Sequence, residues 1–194
     1  MNSTTILIGP MSAGKSTIAN LLAEKLGLRR LELDEKRMDY YKEIGYDEAF
    51  ASQIGRSEQG IIALLQYWKP FEAHAVERVL ADYSDCVIDF GAGHSVYEDA
   101  ALFARVQRAL APYPNVILLL PSPDLDESVE ILNARFADLL MKEVGEVDER
   151  LFNVNAHFIK HPSNHQLAKM VVYTKGKTPE ETCEEILQKI EIEM

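Results

Sequence analysis

Short apolar runs alternate along the chain with longer segments whose apolar positions recur every three or four residues. The runs are ILI after Thr5, RRLEL at 29–33, CVIDF at 86–90, NVILLL at 115–120 and KMVVYT at 169–174. Runs this short, separated by helix-period segments, predict buried parallel strands in a sheet covered on both faces. The first helical segment carries Ile18, Leu21, Leu22 and Leu26, with Gly27 as its C-cap. Residues 34–55 are polar and predict a helix in pieces. Residues 57–83 carry a long helical pattern interrupted at Pro70, where a kink or restart is expected. YEDAALFARVQRALA gives the next helix. The last opens on Thr178, Pro179 and Glu181, an N-cap, an N1 proline and a capping-box acid, and buries Cys183, Ile186, Leu187 and Ile190.

About fifty residues separate the fourth and fifth runs, too many for one helix and a turn. Residues 123–144 read as helix. The rest, GEVDERLFNVNAHFIKHPSNHQLA, is polar, rich in His and Asn, and predicted to be irregular. A long insertion in a compact α/β domain suggests an active-site lid, here 141–166, with 145–166 expected to be the most mobile part of the unliganded protein. No repeat or linker interrupts the pattern, so 1–194 is expected to be a single domain.

Composition narrows the partners. A formal net charge of −11 over 194 residues disfavours nucleic acid and anionic membranes as ligands. Cys86 and Cys183 show no metal-type spacing, which suits a reducing cytoplasm. No signal peptide or membrane span is expected from the N-terminal pattern.

Chemistry enters where the first strand gives way to the first helix. GPMSAGKST, from Gly9 through Met11, Ser12, Ala13, Gly14, Lys15 and Ser16 to Thr17, matches G-x-x-x-x-G-K-[ST] in full. Such a loop wraps a phosphate chain in backbone N–H groups; Lys15 reaches the terminal phosphates and the Ser16 hydroxyl meets Mg²⁺. Lys15 is therefore expected to face phosphate rather than pack. A nucleoside triphosphate is the expected ligand.

The carboxyl ends of parallel strands are where ligands bind in such sheets. Glu32 and Asp34, two apart, are expected on one side of the second strand: one for the metal's water shell, one to take a substrate proton. Asp34 also reads as a helix N-cap, a compatible role. Asp89 ends the third strand as a Walker B acid would, and is the next candidate base. Gly91 and Gly93 then permit close backbone approach or positive φ, with Ala92 between them and His94 a possible substrate contact. His157, His161 and His165 recur every four residues, but Pro162 interrupts them. No neighbouring carboxylate or cysteine completes a metal set, so they read better as polar lid residues. Arg135, Arg150 and Lys160 are the cations in or near the lid, and Trp68 reads as core.

With these motifs the chain resembles the shikimate-kinase-like branch of the small P-loop kinases, relatives of the nucleoside monophosphate kinases, over nearly its whole length. The resemblance implies a three-layer α/β/α sandwich with strand order 2-3-1-4-5 and a lid between strands 4 and 5. It implies ATP and Mg²⁺, with Ser16, Glu32 and Asp89 toward the metal and Lys15 and Asp34 as the catalytic pair. Gly91, Ala92 and Gly93 stand where the family has three glycines on the substrate. Lys69, followed by Glu72, stands where the family has an arginine for the substrate carboxylate. Arg135 and the turn containing Lys177 stand at the sides of the adenine. The departures are Ala92 within the triple glycine, lysine for that arginine, and a lid without an arginine-proline-leucine segment. All three lie on the acceptor side. A small-molecule acceptor is implied, with nucleoside monophosphate, antibiotic and shikimate-like hydroxyl acceptors all open, and a nucleotide-binding regulator as the non-enzyme reading. A monomer or homodimer is expected.

Overall fold

The computed structural model describes residues 3–57, 60–145 and 148–190. Glu58 and Gln59, at the start of the expected long helix, and Glu146 and Val147, within the expected lid, lie outside them. Five parallel strands form one sheet: β1 (Thr5–Ile8), β2 (Arg29–Glu32), β3 (Cys86–Asp89), β4 (Asn115–Leu120) and β5 (Met170–Tyr173), in the order β2-β3-β1-β4-β5. The most apolar runs occupy the middle. Ile6, Leu7 and Ile8 of β1 and Val116 to Leu119 of β4 are sealed from solvent. Each such aliphatic side chain contributes about 1.5–3 kcal/mol on burial. β2, at an edge, carries the two arginines of RRLE and is only half-buried.

The helices are α1 (Lys15–Leu26), α2 (Leu33–Glu43), α3 (Glu48–Gly55), α4 (Gly60–Asp82), α5 (Ala100–Leu110), α6 (Leu125–Glu143), α7 (Glu149–Lys160), α8 (Pro162–Leu167) and α9 (Pro179–Lys189), with a 3₁₀ turn at Ala92–Ser95. The capping box of Thr178 and Glu181 forms, and Gly27 closes α1 in the left-handed region.

Four expectations change. Pro70 does not interrupt α4, which runs through it; packing against α2, α3 and α5 outweighs the one backbone bond a proline forfeits. β2 stops at Glu32 and Leu33 already begins α2, so Glu32 and Asp34 do not share a strand face. Glu32 occupies the N-cap position, which leaves Asp34 in the first helical turn and removes the capping role. The segment expected to be irregular folds as α7 and α8 and buries Val154, Asn155, Phe158, Ile159, Ser163, Asn164 and Leu167. No helix among the described residues is long and apolar enough to cross a membrane.

Candidate active site

The phosphate loop is shaped by two glycines with different duties. Gly9 has φ +142°, and a Cβ there would stand 2.7 Å from the Leu119 carbonyl oxygen of β4. Gly14, at φ +89°, turns the chain into α1 as an N-cap without a side-chain bond. No acid lies in the first turn of α1, and Ser16 and Thr17 are exposed. Free N–H groups and the positive end of the helix dipole thus face outward together, the arrangement an anion requires. Lys15 is not the exposed residue its motif suggested. It is buried, and its ammonium donates to the Pro10 carbonyl at 2.9 Å. Burial pushes its pKa down, opposed by the nearby carboxylates of Asp89, Asp34 and Glu32.

Those acids sit at the carboxyl end of the sheet. Glu32 pairs in register with Asp89, and Asp89 with Leu7 of β1, so the two carboxylates end neighbouring strands beside the loop. Arg30 binds both, at 2.7 Å to Glu32 and 3.4 Å to Asp89. Its place two residues before Glu32, on the same strand face, was available as a signal.

Asp34 and Glu72 explain the loop after β3. A Cβ on Gly91 would overlap the Asp34 carboxylate, and one on Gly93 would overlap the Glu72 carboxylate. Gly91 has φ −60°, so close approach, not a left-handed backbone, is what it provides. Asp34 also meets Arg37 at 3.3 Å, whose guanidinium lies over Trp68, a partly buried residue packed on the core. Lys69 is buried and donates to Glu72 at 2.7 Å and to the Gly93 carbonyl at 3.0 Å. Its ammonium lies 5.5 Å from the rings of both Tyr97 and Phe158. His94, on the same turn, is buried with both ring nitrogens unpartnered, and Nδ1 stands 3.9 Å from Asp34.

The expected lid is tied to this centre. Asn155 of α7, sealed from solvent, accepts from the Met11 N–H at 3.1 Å and donates to Asn133 at 3.2 Å. Val154 and Phe158 pack with Val96, against Met11 and Ala92. Asn155 escaped the sequence reading because an amide at a core-facing helical position resembles a break in the pattern. A cavity of ≈ 510 Å³ opens between α4 and α7, with Lys69 in its wall, Ile61, Leu65, Val154 and Phe158 as apolar lining, and Arg150 at the same opening. Arg150 pairs with Asp148, and Lys160 with Asp126. Arg135 stands on the exposed face of α6. Lys177 is committed to the Tyr173 carbonyl and Glu185.

Comparison with known proteins gives the same picture. The shikimate kinase family profile matches residues 11–191. The chain is 29% identical to a shikimate kinase of Streptomyces coelicolor over 192 residues, covering 96% of this chain and 95% of that one. It is 27% identical to the Streptomyces avermitilis shikimate kinase over 190 residues, covering 96% and 95%. Among solved structures, shikimate kinase from Acinetobacter baumannii, in complex with shikimate, superposes with a TM-score of 0.64 at 20% identity, covering 97% of this chain and 92% of that one. A gluconokinase from Sinorhizobium meliloti shares the fold at a TM-score of 0.53 and 13% identity, covering 96% and 90%. The strand order, the phosphate loop and a profile match over nearly the whole chain identify it as a member of the shikimate kinase family, ATP-dependent phosphotransferases that act on small molecules.

Proposed function

We propose that this protein phosphorylates a hydroxyl of shikimate or a closely similar hydroxylated acid, with ATP and Mg²⁺, in the cytoplasm. The observation that carries the reading is the contact of Asp34 with Gly91, beside His94 and at the same sheet end as the phosphate loop. The donor set fits Mg²⁺, since Ser16 offers an exposed hydroxyl and Glu32 and Asp89 offer carboxylates, all hard oxygens. Held by Ser16, Glu32 and Asp89, Mg²⁺ would supply positive charge against the phosphates during transfer. The residues from Gly9 to Thr17 hold the triphosphate, Lys15 reaching the γ-phosphoryl group, and Arg135 and Lys177 flank the adenine. Asp34 accepts a hydrogen bond from the acceptor hydroxyl, orients its oxygen toward phosphorus and takes the proton late. Lys69, fixed by Glu72, turns its charge toward the acceptor's carboxylate. Gly91, Ala92 and Gly93 bring backbone close to the acceptor, and the unpartnered nitrogens of His94 are left for its other hydroxyls. The protein works as a monomer or homodimer, without nucleic acid or membrane.

The test is ADP release from ATP-Mg²⁺ with shikimate, gluconate, nucleosides, nucleoside monophosphates and aminoglycosides offered separately. Shikimate or its near analogues should give turnover; silence with them, and turnover with another class, overturns the acceptor. Asp34→Asn should lower kcat by ~10²–10⁴ and leave ATP affinity unchanged. Because Glu32 rather than Asp34 occupies the cap position, such a loss does not come from uncapping α2. Normal turnover in this variant assigns the base to another group, with Asp89 next.

A further inference from the structure

In the cavity between α4 and α7 that holds Lys69 in its wall, Glu98 and His157 are also lining residues, and with His161 they form a group that no reading along the chain joins. His157 lies in the last turn of α7, and His161 is the residue that ends it. Four residues apart, they share a face. Their rings meet edge-on with centroids 5.2 Å apart. Glu98, in the loop after the 3₁₀ turn, comes to the same face and holds His157 Nε2 at 2.7 Å through Oε1. One donor atom from each of the three lies within 4.8 Å of the others. Donor atoms around a tetrahedral zinc at ~2.1 Å stand ~3.4 Å apart, so small side-chain rotations suffice. The carboxylate that the histidine repeat lacks along the chain is thus supplied across the fold. His165 is not part of the group.

We propose that Glu98, His157 and His161 form a zinc site with a fourth position left to water, which clasps α7 to the loop carrying Glu98. Two imidazoles and a carboxylate suit Zn²⁺, whereas Mg²⁺ prefers a shell of oxygens. All three side chains are half-buried or exposed, so the metal has an entry path. Metal-free, Glu98 and His157 satisfy each other, and His161 Nδ1 accepts from the Ser163 N–H at 3.2 Å as the cap of α8. Binding through either nitrogen of His161 gives up that cap bond, because Nε2 can ligate only after the ring proton moves to Nδ1. The loss is one long hydrogen bond at the start of a six-residue helix, and it supplies a signature. The Ser163 amide should shift on metal binding.

The test is titration of the purified full chain with Zn²⁺, followed by calorimetry, thermal melting and the amide spectrum. Wild type should take up one equivalent, melt higher when loaded and shift the Ser163 amide, with no matching response to Mg²⁺. Glu98→Gln, His157→Ala and His161→Ala should each weaken binding at least tenfold, as even outer partners of metal ligands do when removed. His165→Ala should bind as wild type does. His157 and Glu98 are about half exposed, so these two variants keep the fold. Absence of binding, or uptake unchanged in all three variants, overturns the site whatever the acceptor of the kinase proves to be.

Discussion

His94 is 1% exposed, lies against Phe90, and has no hydrogen-bond partner at either ring nitrogen. Burial pushes its pKa below the ordinary 6.5, opposed by Glu72 and Asp34 and assisted by Arg37 and Lys69. The imidazole therefore stays neutral in the fold while the unfolded chain protonates below 6.5. Its stability contribution is complete above that value and is lost as pH falls through the folded pKa. Leucine has nearly the same size and nothing to satisfy. His94→Leu should stabilise the protein by about 1–2 kcal/mol near pH 8, because an unpaired buried polar group is removed. It should also flatten the fall in melting temperature between pH 7 and 5, where His161, whose pKa burial also lowers, adds slope of the same sign. Acceptor turnover should fall together with that gain. Melts across pH and the ADP assay check it: an unchanged slope removes the titration argument, and unchanged turnover removes His94 from the acceptor site. The sequence shows His94 only as a histidine in a glycine loop. Its burial is created by Phe90 and Tyr97 and by the approach of α2 and α4, which no local pattern reports. The same holds for Gly91 and Gly93, whose need for a bare Cα comes from Asp34 and Glu72 on those two helices.

At the scale of elements, strands and phosphate loop were legible because both are local: short apolar runs form strands, and two glycines and a lysine form the loop. What failed was α7. Leu151, Val154, Phe158 and Ile159 do recur at helical spacing, but Asn155 occupies a core-facing position and histidines crowd the surface. The segment therefore looked polar. Asn155 joins the phosphate loop to α6, accepting from Met11 and donating to Asn133. Packing and one buried amide thus dock α7 onto the Gly9–Thr17 loop, where an irregular segment was expected. Asn155→Ala removes both bonds and leaves the Met11 N–H without its acceptor, at about 1–3 kcal/mol. Amide exchange should accelerate in α7 and barely change in β4. KM for ATP should rise several-fold more than kcat falls, since the loop's starting geometry is what is lost. Equal acceleration in β4 would mean global destabilisation instead of undocking.

Over the whole molecule, a chain of net charge −11 has to receive a polyanion. The field of the surface opposes ATP, so the compensating positive charge at the sheet's carboxyl end has to be local. It comes from the free N–H groups of α1, from Lys15, and from Arg30 and Arg37, which cancel part of the charge on Glu32, Asp89 and Asp34. Lys15 is the cation within the phosphate loop and lies among those acids, which raise its pKa against the lowering effect of burial. Removing it leaves the three carboxylates at this sheet end with one fewer compensating charge. A ligand at one hundred times its Kd stabilises a fold by about 2.7 kcal/mol, which for a chain of this length corresponds to roughly 5–10 °C in melting temperature. ATP-Mg²⁺ should shift the wild-type melt by that order. Lys15→Ala should abolish the shift and the phosphoryl transfer together. The side chain is buried, so Lys15→Met, which restores most of its volume without its charge, separates packing from electrostatics. If charge decides, the methionine variant melts close to wild type without ligand and still shows no ATP-Mg²⁺ shift. A full shift in either variant would mean that the backbone N–H groups hold the triphosphate alone, and Lys15 would then act only on the transferring group.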